Sequence, residues 1–435
     1  MITKLPPVAA AMGRLSGAGR LIVDRASWTL IDQGVVSLGG FILNLQLARS
    51  LSSADYGIFA LFMGTVFMLR SLDFSLISYP LSVRLCSLST DAHPVTLANT
   101  AVLATVLSGL LAVALAVGTI MLGRADIALA ATACYLAWQA QEMSRRFLTA
   151  HFRYRSAVWG DATSFLGQIF VIAALSSADA LTLQSALYAL AVMFLAGALV
   201  HMAQLHFGRP CLEELKALCR EHYRIGKWSL LTYEVVLLRT QLFPWVLALF
   251  AGTAATASFQ AALNVANVMN PVILGIGAVI PQATAQQRLI GGLHGAWRVA
   301  RGYILFGLPP VMLLAAIGIL APDLVLRLMY GADSPYLDLS LAVRLLVFAW
   351  ACEYVGEMIA KTMLGADLGG SAFLVNSTGA IAAIIAVPLV IPYGVLGACL
   401  ALVVANITRL LFAWLLMSWH LTRLDQPAAD AVSEG

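Results

Sequence analysis

Twelve long apolar runs divide this chain, and no stretch between them exceeds about 20 residues. The runs cover 27–48, 57–79, 96–122, 127–149, 157–176, 182–206, 228–250, 257–282, 302–320, 339–364, 371–391 and 395–418. A helix that crosses a bilayer needs about 20 mostly apolar residues. Inside lipid every backbone N–H and C=O must be bonded within its own segment or barrel. Runs this long and continuous suit helices. They lack the short alternating pattern of a membrane β-barrel. Composition closes the soluble alternative: 60% of the 435 residues are hydrophobic and 11% are charged, with a mean hydropathy of +0.87. Soluble domains carry roughly 25% charged residues, and this chain could not cover a water-facing surface.

The basic residues sort by side. With both termini cytoplasmic, nineteen of the 26 Lys and Arg fall on the cytoplasmic side, among them Arg84, Arg145, Arg146, Arg220 and Lys361. Three (Arg49, Arg124, Arg327) fall on the far side and four (Arg70, Arg239, Arg344, Arg409) lie inside runs. This is a positive-inside asymmetry, and it supports an even number of spans. The basic segment 1–26, with Lys4, Arg14, Arg20 and Arg25, precedes a run too long for a signal-peptide core, so the run reads as a retained first helix.

Runs four to six and ten to twelve correspond at an offset of 215 residues. Glu142-Met143 matches Glu357-Met358, Arg146 matches Lys361, Ser156-Ala157 matches Ser371-Ala372, Asp161 matches Asn376 and Thr163 matches Thr378. Apolar identities between membrane segments arise easily by chance; polar ones do not. The expectation is an all-α polytopic membrane protein of about 12 transmembrane helices in two six-helix bundles, related by a pseudo-twofold axis along the membrane normal with a cavity between the halves. Its parts are a cytoplasmic tail 1–26, bundles 27–206 and 228–418, a cytoplasmic linker 207–227 and a cytoplasmic tail 419–435.

Charged and amide side chains inside the runs are the candidate functional residues, because a charge at mid-bilayer costs about 2.5–3.5 kcal/mol on insertion scales. Gln33, Ser37, Gly40 and Asn44 share one face of the first helix, beside Asp32. Gln260, Asn264, Asn267 and Asn270 line the eighth ahead of Pro271. Either stripe suits a polar lumen or a tight helix contact. Arg70 and Asp73 are spaced to neutralise each other, as are Glu357 and Lys361. Arg70, Arg239, Arg344 and Arg409, where they converge, make a cationic lumen for a phosphate or diphosphate, which guanidinium binds bidentately. Apart, they are isolated bridges or reach to the membrane edge. Asp32, Glu234, Glu353 and Glu357 are the candidates for a coupling cation, with a structural bridge the other reading of Glu353.

Six scattered cysteines form no CxxC, and no Walker A, HExxH or GxSxG sequence occurs. No metal, cofactor, catalytic residue or nucleic-acid partner is expected. The short loops count against a membrane-embedded polysaccharide polymerase or ligase.

The stretch from Asp32 to Phe62 resembles the opening of bacterial polysaccharide flippases, through Leu47-Ala48-Arg49, Leu51-Ser52, Asp55-Tyr56-Gly57 and Phe59-Ala60-Leu61. Ala257-Ser258-Phe259-Gln260-Ala261 and Pro392-Tyr393-Gly394 with Leu396-Gly397-Ala398 are similar to later parts of the same family. That family is the polysaccharide-transporter branch of the multidrug/oligosaccharidyl-lipid/polysaccharide exporter superfamily. The resemblance implies transfer of an undecaprenyl-diphosphate-linked oligosaccharide across the bacterial inner membrane by alternating access, coupled to an ion gradient. The implied partners are the lipid-linked glycan, membrane lipids, and a polysaccharide polymerase with its chain-length machinery. A cation-coupled multidrug or small-molecule exporter of the same fold is the alternative. The Asp55-Tyr56-Gly57 turn reads as a tight helix contact and not as a substrate site.

Overall fold

The computed structural model describes residues 17–85 and 93–425. Lys4, Arg14 and Cys86 lie outside the described residues, as does the C-terminal tail from 426. Among the described residues every regular element is helical and five cysteines are free.

Helix α1 spans Gly17–Ser50 and α2 Ser53–Asp73; a π-helical turn, Phe74–Ser78, leads into α3, Tyr79–Leu85. Then follow α4 (His93–Met121), α5 (Ala125–Ala150), α6 (Tyr154–Ser177) and α7 (Leu183–Met202). The remainder is α8 (Leu212–Ala251), α9 (Thr253–Ala266), α10 (Asn270–Leu320), α11 (Pro322–Tyr330), α12 (Ser340–Gly365), α13 (Gly369–Ala386) and α14 (Val390–Asp425).

Nine stretches among the described residues are long and apolar enough to cross a membrane. Two of them, Thr253–Leu320 and Gly369–Arg423, hold 68 and 55 residues, far more than one crossing needs. Each is broken by a glycine at positive φ, Gly292 (φ 60°) and Gly394 (φ 52°), a conformation that side chains disfavour. Each therefore supplies two crossings. Helix α5 is the twelfth; its charges, Glu142, Arg145 and Arg146 among them, exclude it on hydropathy. Over the described residues the chain is an all-helical, multi-pass membrane protein with twelve spans.

The residues group into two compact units. Unit 1 contains the chain up to Leu43 and Asp73–Gly226; unit 2 contains Asn44–Leu72 and the chain from Lys227. Within unit 1, α5 packs on α4 and α7, and α6 on α7. Ile77, Leu81, Leu97, Ala104, Met143 and Phe147 form one of its cores. Residues 207–227 are not a free connector. The Cys211 N–H donates to Asn99 Oδ1 at 2.8 Å, Arg84 pairs with Glu221, and Leu218 and His222 are buried.

Within unit 2, α12 packs on α9, α10 and α14, and α13 on α14. The Asp55-Tyr56-Gly57 turn is a packing device. The Ser52 hydroxyl caps α2, accepting from the Asp55 N–H at 3.1 Å and donating to the Asp55 carboxylate at 2.9 Å. Tyr56 is wholly buried and its hydroxyl accepts from Asn264. At Gly57 any β-carbon would collide with the backbone of Thr253.

Candidate functional site

Among the described residues each unit holds a cluster of ionised side chains, partly on helices that correspond in the repeat: α5 and α6 in unit 1, α12 and α13 in unit 2. In unit 2 the cluster is centred on Glu353 of α12. Arg239, from α8, reaches it with both terminal nitrogens: Nη1 donates to Oε2 and Nη2 to Oε1, each at 2.8 Å. Arg409, from α14, contacts the same Oε2 through Nη1 at 2.9 Å and donates from Nη2 to Glu357. Its Nε also donates to Asn376 Oδ1 at 3.1 Å, while Arg239 donates to Asn406. Arg409 and Arg239 are 1% and 4% exposed. A guanidinium so deeply buried needs opposite charge and hydrogen-bond acceptors, and α12, α13 and α14 supply carboxylates and amides for both. Lys361 lies 3.5 Å from Glu357, one turn along α12. Gly379 of α13 makes room for the arginine stems: a β-carbon there would stand 3.1 Å from Arg409 Cδ and 3.2 Å from Arg239 Cδ.

In unit 1 a single arginine, Arg145 of α5, gathers three carboxylates. It pairs with Asp32 of α1, with Asp161 of α6 at 2.6 Å and with Glu142 at 3.6 Å. Asp161 is fully buried; it also accepts from Gln141, and His201 of α7 lies 3.8 Å away. Arg146 binds Glu142 at 2.7 Å from a more exposed position. Arg145, counted by sequence among the cytoplasmic-side basic residues, is half-buried here, held by Asp32 and Asp161.

The remaining candidates are dispersed. Arg344 is exposed near the start of α12 and donates to the Ile319 carbonyl at 3.1 Å, away from Arg239 and Arg409. Arg70 is half-buried on α2. Glu234 accepts from Ser71. On α1, Gln33 is exposed and donates to Ser37 at 3.0 Å, and Asn44 is half-buried. The amides after α8 engage one another and their neighbours. Gln260 donates to Asn264 at 3.0 Å, and Asn264 donates to Tyr56 and Tyr330 at 2.9 and 3.3 Å. Asn270 donates to Asn267 at 3.1 Å and accepts from Trp350 at 3.1 Å. Asp161, Glu142 and Arg145 were not singled out as site residues, although the polar matches Asp161–Asn376 and Glu142–Glu357 already marked two of them.

No protein-family model and no curated protein matches the sequence. Solved structures do. An inward-facing multidrug resistance MATE family transporter of the MOP superfamily superposes with a TM-score of 0.77 at 14% identity, over 91% of this chain and 96% of that one. The chain has the fold of these transporters. The lipid II flippase MurJ, in an inward closed conformation, gives a TM-score of 0.72 at 13% identity over 89% of this chain and 87% of its own. A MOP superfamily transporter from Pyrococcus furiosus, described as having a binding pocket of reverse polarity, gives 0.66 at 15% identity over 94% and 96%.

Proposed function

We propose that this protein is a flippase that moves an undecaprenyl-diphosphate-linked oligosaccharide across the bacterial inner membrane by alternating access, with both termini cytoplasmic. It works as a secondary transporter driven by an ion gradient and catalyses no chemical step. The observation that carries this reading is the Arg239–Arg409 pair. Two permanently charged, planar donors meet on one carboxylate, and guanidinium is suited to bidentate binding of phosphate oxygens. A diphosphate can replace Glu353 between them only if that carboxylate is released, which makes the site switchable. The likeness to MurJ supports a lipid-linked substrate.

Coupling belongs in unit 1. There Asp32, Glu142 and Asp161 outnumber Arg145 and Arg146 by one negative charge, a deficit that a proton or sodium ion would fill. Glu353 and Glu357 are bound to arginine and serve the anion site. Transporters of the MATE family are named for multidrug resistance, and the same carboxylate surplus would serve a cation-coupled exporter; this is the second reading.

A deletion strain separates the two. Under the first reading it accumulates cytoplasm-facing lipid-linked glycan, and the intact gene restores export. Unchanged glycan together with raised drug sensitivity would favour the exporter.

A further inference from the structure

Unit 1 contains a cavity of about 190 Å³ between α4 and α5, lined also by Met202 and Phe207, both exposed. Small residues of α4 and α5, Ala101, Ala104 and Ala140, form its walls, and Met143 and Phe147 lie deeper. An apolar cavity of about 150 Å³ holds benzene, so this one takes a slim guest somewhat larger. At its edge stand Thr105 and Leu136, both exposed. They lie 12 and 11 residues into α4 and α5, or roughly 17 Å along each helix. That side of the cavity is thus at hydrocarbon depth, where a guest can enter from the bilayer.

Thr105, Ser108, Gln139 and Ser144 break the apolar pattern, and Gln139 brings an unmet acceptor. Gln139 is 4% exposed, and its side-chain carbonyl oxygen is buried with no hydrogen-bond partner. A buried acceptor left unmade costs about 1–3 kcal/mol, so a guest that brings a donor is favoured. No Asp, Glu, Lys, Arg or His lines the cavity, so a charged guest has no counter-ion there.

We propose that the α4–α5 cavity binds a neutral single-chain amphiphile whose hydroxyl donates to Gln139 Oε1 while its chain lies against Ala104, Met143 and Phe147. No ionised side chain of either cluster lines this site, although Ser144 of its wall lies 3.3 Å from His201, and the proposal does not depend on what the protein transports.

The probe is a diazirine-bearing octanol, photolysed with the full chain in nanodiscs of phosphatidylcholine and phosphatidylglycerol, with adducts mapped by mass spectrometry. Expected are saturable adducts within 101–108 and 136–143, displaced by octanol and much less by octane. Gln139→Leu should weaken labelling roughly fivefold, the worth of one hydrogen bond, and Ala104→Phe should abolish it by filling the space. Labelling that never saturates and spreads evenly over lipid-facing residues such as Leu110 and Val113 would overturn the proposal. So would octane competing as well as octanol, or Gln139→Leu labelling as strongly as the parent.

Discussion

The two units solve one physical problem with opposite charge balances. Both set arginine against carboxylates partly on helices matched by the 215-residue repeat, where Glu142 corresponds to Glu357 and Asp161 to Asn376. Unit 1 sets three carboxylates against Arg145 and Arg146. Unit 2 sets Glu353 and Glu357 against Arg239, Arg409 and Lys361. Replacing one acid by an amide, at Asp161 and Asn376, accounts for much of the difference. A surplus acid can take up a proton or cation, and a surplus base can hold an anion. On the proposed reading, the two units then carry complementary sites.

The largest effect is expected where the balance is tightest. Glu353→Gln removes the carboxylate that two buried guanidiniums share. Breaking a buried pair from one side costs about 3–5 kcal/mol, so a steep fall in thermal stability in detergent should follow. Adding Arg239→Met should recover part of it, whereas two independent, additive losses would show that the residues do not act as a cluster. Asp32→Asn in unit 1 should cost less, because it removes a surplus charge. Gly379→Ala tests the room left for the arginine stems. Overpacking costs about 1–3 kcal/mol, and the melting temperature should drop while the unit 1 pairs persist. Arg344→Ala should change stability by no more than about 0.5 kcal/mol and leave glycan export intact. Loss of export at normal abundance would return Arg344 to the anion site.

Most of the fold was legible in the sequence, because span length and hydropathy are local properties. The twelve runs map onto helices, and the two over-long stretches divide at glycines, which break helices for local reasons. The membership of the ionised clusters was only half legible. Arg239, Arg409, Glu353 and Glu357 were conspicuous as charges in apolar runs. Arg145 was not, because it sits beside Arg146 at the end of a run, where basic residues normally face water. Its inward position depends on Asp32 and Asp161, partners on two other helices. The amide series shows the same limit. Helical spacing placed Gln260 and Asn264 on one side, but spacing does not reveal that Tyr56 and Tyr330 stand opposite and bind Asn264.

The division of labour between the units is tested most directly by Asp161→Asn in proteoliposomes loaded with lipid-linked glycan under an imposed proton or sodium gradient. The substitution makes unit 1 resemble unit 2 at the matched position, Asn376. The expected result is that the variant still equilibrates glycan between leaflets but no longer accumulates it against a concentration difference. Gradient-driven accumulation at the parent rate would contradict the assignment of coupling to unit 1.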